Sequence, residues 1–463
     1  MTRKRHSQSA VGLLSFFVAV FALTVPASAE WKEKVLYSFQ GSPDGSFPGG
    51  GLVFDKAGNL YGVTLEGGSG SCPPAQCGIV YQLSPPAQKG GPWTETVLYV
   101  FKGQHYGDGS SPAGTLLIDS SGNLYGATGY GGTGKCTIFG GVVGCGTVYE
   151  LSPPKKQGEA WKEKVLYSFK GGKDGQLAGE SLTFDAQGNI YGATAYGGGY
   201  GSCNEPYYQH CGAIYEVSPP KTKGGKWTEK VLYGFKSGKD GANPNGGLVF
   251  DAKGEIYGTT QFGGYHQGQC DRGVGYEGCG TVFALKPPVK EGRDWNESVL
   301  HRFEGSPSDG LGPNGRLAQE KDDSLYGTTI GGGSDEDGVV FKLIPPVNKG
   351  DSWKESLIHV FTGAKDGQGP WDGLVQGPDA NFYGAAGGSP SRGGVVFRMR
   401  PPALTKGGAW SFDVLYSFTG SPDGYDPLEL TIVKGGVIFG VTEYGGTGQA
   451  CQGGCGAFFE VAP

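Results

Sequence analysis

Apolar residues come in short bursts along the chain, alternate with polar positions, and stop at Gly, Asn, Asp or paired Pro. A period of two bounded by turn residues predicts β-strands rather than helices. The bursts recur in register. Each unit opens at a tryptophan, Trp31, Trp93, Trp161, Trp227, Trp295, Trp353 or Trp410, which leads into a strand such as Val35-Leu36-Tyr37-Ser38-Phe39. Seven of the eight tryptophans hold this one position. A second strand carries Leu52, Leu116, Leu182, Leu248, Leu317, Leu374 or Leu430, and nine residues later an aromatic follows: Tyr61, Tyr125, Tyr191, Tyr257, Tyr326, Tyr383 or Phe439. Between them lies a turn such as Asp55-Lys56-Ala57-Gly58-Asn59, suited to a tight hairpin. A last strand, Gly78-Ile79-Val80-Tyr81 in the first copy, ends at Pro85-Pro86, where a ladder cannot continue.

Four strands per unit at a period of 57 to 68 residues predict an all-β, seven-bladed β-propeller of four-stranded antiparallel blades. One such sheet cannot bury both of its faces alone, so neighbouring blades must cover each other. Alternation places Trp31, Val35 and Tyr37 on one face, filling the wedge between blades. The chain begins with the strand that follows a Pro pair and ends with the strand that precedes one. The N-terminal strand is therefore expected to pair with the last blade and close the ring. A β-solenoid is the competing architecture, but its coils are shorter and its ends need caps.

Composition adds the compartment. Arg3, Lys4 and Arg5 precede an apolar run from Val11 to Val25, and Ala27-Ser28-Ala29 supplies small residues for cleavage. Residues 1–29 read as a signal peptide and 30–463 as the propeller, with secretion to the extracellular space or periplasm. The apolar run is short for a membrane span, and no second one follows. Removing three basic residues leaves 35 Lys and Arg against 44 Asp and Glu, a net charge of −9 that disfavours nucleic acid. A monomer is expected.

The run Gly51-Leu52-Val53-Phe54-Asp55 to Gly58-Asn59-Leu60-Tyr61-Gly62-Val63-Thr64, with Gly67-Gly68 and Cys77-Gly78-Ile79-Val80-Tyr81 behind it, resembles the Gloeo/Verruco (GloVer) tandem repeat of bacterial choice-of-anchor proteins. The resemblance implies a secreted or surface-held repeat protein and carries no catalytic residues. No C-terminal anchor is expected from the last residues, which run straight out of the final repeat.

Ten cysteines fall as Cys72/Cys77, Cys136/Cys145, Cys203/Cys211, Cys270/Cys279 and Cys451/Cys455, always in the connection between the second and third strands of a blade. Blades five and six lack both members. Joint presence or absence predicts five local disulfides in an exported chain, in preference to thiolate metal sites.

In a meander those cysteine loops share one face of the disc with the blade-to-blade turns. That face receives Asp44, Asp108, Asp174, Asp240, Asp309, Asp366 and Asp423, each in an Asp-Gly turn. Such an aspartate commonly satisfies its own turn, and a ring of them can also form an acidic rim for a cation or for sugar hydroxyls. Tyr130, Tyr196, Phe262 and Tyr444 on the same face can stack on sugar rings.

Catalytic constellations are thin. His301 and His359 replace the Tyr of Val-Leu-Tyr, while His105, His210 and His266 occupy unrelated loops. No metal site and no cofactor are expected. The reading is a secreted, non-catalytic propeller whose disulfide-braced loops recognise an extracellular glycan or protein. The alternative is a polysaccharide hydrolase or lyase at the channel mouth, using acids that break the repeat, such as Asp335, Glu336 and Asp337 or Glu205.

Overall fold

In the computed structural model, the described residues are 30–463 apart from 71, 73–76, 89, 139–140, 157, 180, 200–210, 265–269, 271–277, 291–292, 349, 364, 389–392 and 403–407. The expected signal peptide and Cys203, Glu205, His210 and His266 lie outside them.

Residues 31–463 form seven four-layered antiparallel sheets around an axis. Blade one runs outward from Ser46–Phe54 through Leu60–Glu66 and Ile79–Ser84 to Thr94–Val100. Blades two to six repeat that order, with inner strands Gly109–Ile118, Thr183–Phe184, Val249–Phe250, Gly310–Gln319 and Val375–Gln376. Their outer strands are Lys162–Ser168, Thr228–Gly234, Asn296–Arg302, Lys354–Val360 and Ser411–Ser417.

Blade seven closes the ring. Its inner layer is Tyr425–Pro427 and Thr431–Ile432, followed by Ile438–Tyr444 and Ala457–Ala462. The outer layer comes from the opposite end of the chain: Lys32–Ser38 pairs antiparallel with Ala457–Ala462, Lys32 facing Ala462 and Ser38 facing Ala457. This is the expected closure, and it leaves no blade with an unpaired third strand.

Packing between blades rests on one repeated pair of rings. The residue after each outer strand, Phe39, Phe101, Phe169, Phe235, Phe303, Phe361 or Phe418, is buried. Each meets the third-strand aromatic of the next blade, Tyr81, Tyr149, Tyr215, Phe283, Phe341, Phe397 or Phe459, at 4.9 to 5.5 Å between centroids and steeply inclined. Inclined pairs at this distance bring a positive ring edge to a negative face. The third-strand ring lies over the second strand of its own blade, which makes room for it with glycine. A Cβ at Gly258 would lie 2.6 Å from Cζ of the buried Phe283.

The sequence expectation for the outer strand needs one correction. Trp31 packs toward blade six and Tyr37 toward blade one, so Trp31, Val35 and Tyr37 do not share a face. The register slips between Val35 and Tyr37, which oppose the consecutive residues Phe459 and Phe458. This β-bulge absorbs Leu36 and reverses the alternation beyond it. Every outer strand carries the same slip. The leucine at the bulge is the better buried residue, as at Leu98, Leu166 and Leu232.

The bulge also aims the following Tyr or His at the next blade. Tyr37, Tyr99, Tyr167, Tyr233 and Tyr416 donate to Asp44, Asp108, Asp174, Asp240 and Asp423 over 2.5 to 2.8 Å. His301 and His359 take the same place 3.2 Å from Asp309 and Asp366. A third member comes from the outer strand of the next blade, two residues after its tryptophan: Glu95, Glu163, Glu229, Glu297, Glu355 and, at the seam, Glu33. Each of these six has an Oε1 without solvent contact or hydrogen-bond partner. Burial, with the neighbouring aspartate adding, pushes Glu95 up to about 8 and Glu33, Glu163 and Glu297 up to about 7. Glu229 and Glu355 are raised for the same reasons.

These glutamates are more easily protonated in the ring than in the unfolded chain. Their contribution to stability is therefore complete below the unfolded value near 4.5 and is lost as pH rises through about 7 to 8. The melting temperature should fall between pH 5 and pH 9, and Glu95→Gln should flatten that fall because its amide is uncharged throughout. A melting temperature that rises over this range, or an unchanged slope in Glu95→Gln, would contradict the clasp. Gly258→Ala should cost roughly 1–3 kcal/mol in denaturant unfolding, as overpacking does.

Candidate functional site

First strands crowd the axis closely enough to bond across it. Gly51 N–H donates to Thr115 Oγ1 at 2.8 Å, Thr115 N–H to Ser181 Oγ at 2.9 Å, and Thr115 Oγ1 to Glu429 Oε2 at 2.5 Å. Glycines permit the approach: a Cβ on Gly50, itself at φ +78°, would lie 2.8 Å from Cα of Gly114. What remains is a polar cavity of about 130 Å³ lined by Asn245, Asn314, Arg316, Asp372 and Glu429 among others. Asp372 Oδ2 has neither solvent contact nor a hydrogen-bond partner. Burial, with the charges of Glu429 and Glu443 adding, pushes the Asp372 carboxyl up to about 7. The axis is narrow and fits water or a small ion rather than a sugar.

The neighbouring residue opens a different site. Trp371 is the one tryptophan outside the repeat position, and it is 52% exposed, whereas the seven repeat tryptophans are partly buried. It lines a cavity of about 280 Å³ with Ile330, Glu336, Asp337, Gln368 and Asp426. Three blades meet there. Glu336 and Asp337 belong to the loop between Leu325–Gly332 and Val339–Ile344 of blade five. Gln368 and Trp371 lie in the crossing from blade five to six, and Asp426 opens blade seven.

Local backbone holds the acids in place. Gly369 N–H donates to the Asp337 carbonyl at 2.7 Å, and Gly388 N–H to Asp426 Oδ1 at 3.1 Å. Glu336 and Asp426 adopt φ of 66° and 52°, a left-handed backbone that non-glycine residues rarely take. Asp426 is raised by burial, and Asp337 by burial together with the charges of Asp335, Asp366 and Glu336. An aromatic face beside carboxylates and an amide can stack on a ring and accept from its hydroxyls.

The short cysteine-free loop of blade five leaves room for this cavity. The corresponding loops of blades one, two, four and seven are braced by Cys72–Cys77, Cys136–Cys145, Cys270–Cys279 and Cys451–Cys455, with Cα atoms 4.8 to 5.1 Å apart. These are four of the five expected pairs; Cys203, the expected partner of Cys211, is outside the described residues.

The seven turn aspartates are all committed to the clasps between blades. Besides its Tyr or His contact, each accepts a main-chain N–H, from Gln40, Lys102, Lys170, Lys236, Glu304, Thr362 and Thr419 in turn, at 2.6 to 3.1 Å. Tyr130, Tyr196, Phe262 and Tyr444 are half-buried. Tyr425 stacks on Tyr444 at 5.0 Å and 12°, which covers one of its faces. His105 packs edge-on against the exposed Tyr106 in a single 3₁₀ turn. Sequence reasoning named Glu336 and Asp337 but missed Trp371, whose displacement from the repeat register was the available signal.

No helix among the described residues is long and apolar enough to cross a membrane. Solved structures similar to this chain include a protein of unknown function from Dyadobacter fermentans, 13% identical over 93% of this chain and 98% of that one, with a TM-score of 0.43. The PQQ-bound aldose sugar dehydrogenase of Streptomyces coelicolor is 14% identical over 94% and 99%, with a TM-score of 0.41. A putative 6-phosphogluconolactonase from Bacteroides uniformis is 13% identical over 78% and 84%, with a TM-score of 0.46. None of these likenesses bears on the chemistry of this chain. No curated protein matches it. The Gloeobacter/Verrucomicrobia repeat model matches residues 19–203 and 200–459. With its repeats spanning the propeller from the first blade to the seam, the chain belongs to the Gloeobacter/Verrucomicrobia repeat family.

Proposed function

We propose that the protein is an exported, non-catalytic propeller that binds an extracellular glycan at the cavity shared by blades five, six and seven. The observation that carries this reading is Trp371, an exposed indole in a fold that otherwise places its tryptophans in the repeat position and partly buries them. Indole faces stack on the apolar side of a pyranose, while Glu336, Asp337, Gln368 and Asp426 offer acceptors to its hydroxyls. Export is supported by the basic and apolar start of the chain and by four disulfides, which persist in oxidising compartments. In this reading Asp44, Asp108, Asp174, Asp240, Asp309, Asp366 and Asp423 form the base that keeps the binding face rigid. Tyr444 belongs to blade seven, one of the three blades of the site, whereas Tyr130, Tyr196 and Phe262 belong to blades two, three and four.

A second reading has one observation in its favour. Asp337 and Asp426 sit in the same cavity with raised carboxyls, the condition a general acid for glycoside cleavage requires.

One experiment separates the two. The chain is passed over immobilised extracellular polysaccharides, and the same polysaccharides are assayed for new reducing or unsaturated ends. Retention without products is expected, with Trp371→Ala weakening it at least about tenfold, the loss of one stacking contact. Asp44→Ala should lower the melting temperature and leave retention intact. New chain ends would favour the enzyme, and undiminished binding by Trp371→Ala would remove the site.

A further inference from the structure

The clasps on either side of blade five depart from the Tyr–Asp–Glu set, and the one where blade four meets blade five keeps its glutamate. There the residue at the Tyr37 position is His301, and the residue three further on is Glu304. In the three preceding clasps that second position is Lys102, Lys170 or Lys236, whose ammonium lies 5.5 to 5.9 Å over the tyrosine ring. Those lysines also act on the buried glutamates Glu163, Glu229 and Glu297. Both changes at blade five run in one direction. A phenol becomes an imidazole, and a fixed cation becomes a carboxylate.

His301, Asp309 and Glu355 each present one ligand atom, and these atoms lie within 4.8 Å of one another. His301 Nε2 and Asp309 Oδ2 are 3.2 Å apart, Asp309 is 5% exposed, and Glu355 Oε1 has neither solvent contact nor a partner. Among the described residues no Lys or Arg pairs with either carboxylate. Two facing carboxylates are relieved either by a proton, as in the clasps that carry tyrosine, or by a cation, and here an imidazole nitrogen faces the same point as the two carboxylates.

We infer that His301, Asp309 and Glu355 form a binding site for a divalent first-row cation of the Zn²⁺ type. Metal bonds of about 2.0–2.2 Å place tetrahedral ligands about 3–4 Å from one another, so a small inward shift of Glu355 completes the set. One nitrogen and two carboxylates suit Zn²⁺ or its neighbours better than Ca²⁺ or Mg²⁺, which prefer all-oxygen shells. Neutral His301 gives the Nε2 lone pair and keeps its proton on Nδ1; solvent fills the remaining position, and Glu304 adds negative charge beside it. The ion ties the outer strand of blade four, through His301, to the outer strand of blade five, through Glu355. Blade six is an internal contrast. His359 and Asp366 repeat the pair, but the glutamate position holds Phe412, stacked on the imidazole at 3.8 Å and 5°.

The test uses the full chain, purified without a polyhistidine tag, stripped with chelator, and titrated with Zn²⁺ by calorimetry, with bound metal counted by elemental analysis. About one Zn²⁺ per chain is expected, with a rise in melting temperature. His301→Tyr restores the residue found at positions 37, 99, 167, 233 and 416, so it is compatible with the fold, and it should weaken Zn²⁺ binding at least about a hundredfold. Glu355→Gln should do the same, and His359→Tyr should leave binding unchanged. Absence of Zn²⁺ binding by the unaltered chain, equal binding by His301→Tyr, or equal loss in His359→Tyr would overturn the site.

Discussion

A sheet with two apolar faces has no stable existence in water until both are covered, and here each blade covers the next through the buried pair of rings that Phe39 and Tyr81 exemplify. The pair fixes several other features. It demands glycine opposite the ring in the second strand, it places the bulge just before the phenylalanine, and it allows no blade to be last. Seven wedges around an axis satisfy that last condition only if the chain's two ends share a sheet. The N-terminal strand therefore has a structural duty equal to that of any internal strand, although it is farthest in sequence from its partner.

Much of this was legible in the sequence because a repeat reports the same environment seven times. The tryptophan, the leucine and the aromatic nine residues after it marked the strands, and the phase of the two ends marked the closure. Alternation failed at one place. Trp31, Val35 and Tyr37 read as one face, but the bulge at Leu36 turns Tyr37 toward the other blade. A period of two carries no sign of an inserted residue. The clasp glutamates were missed for a related reason. In Trp31-Lys32-Glu33-Lys34 a charged run reads as a solvated edge, whereas Glu33 lies half-buried against Asp423 and Tyr416 of the neighbouring wedge. Recurrence of Glu two residues after the tryptophan, with Phe412 as its exception, was the signal available.

Chemistry collects where the repeat breaks. The seven turn aspartates obey the symmetry, and their oxygens are taken up by the ring itself. Trp371 departs from the tryptophan register, blade five lacks the braced loop, and His301 with Glu304 departs from the Tyr and Lys of the three preceding clasps. All of these departures lie in or beside blades five and six. A symmetric scaffold keeps the stability terms uniform, so a local exception is free to present an indole, a strained carboxylate or an imidazole without loosening the other blades.

Amide hydrogen exchange at the seam tests the central claim most directly. If the ring depends on closure, the amides of Lys32–Ser38 and Ala457–Ala462 are protected together and exchange in one cooperative opening with the same free energy. Exchange of the N-terminal segment at the rate of an unstructured peptide, while the C-terminal strand stays protected, would contradict it.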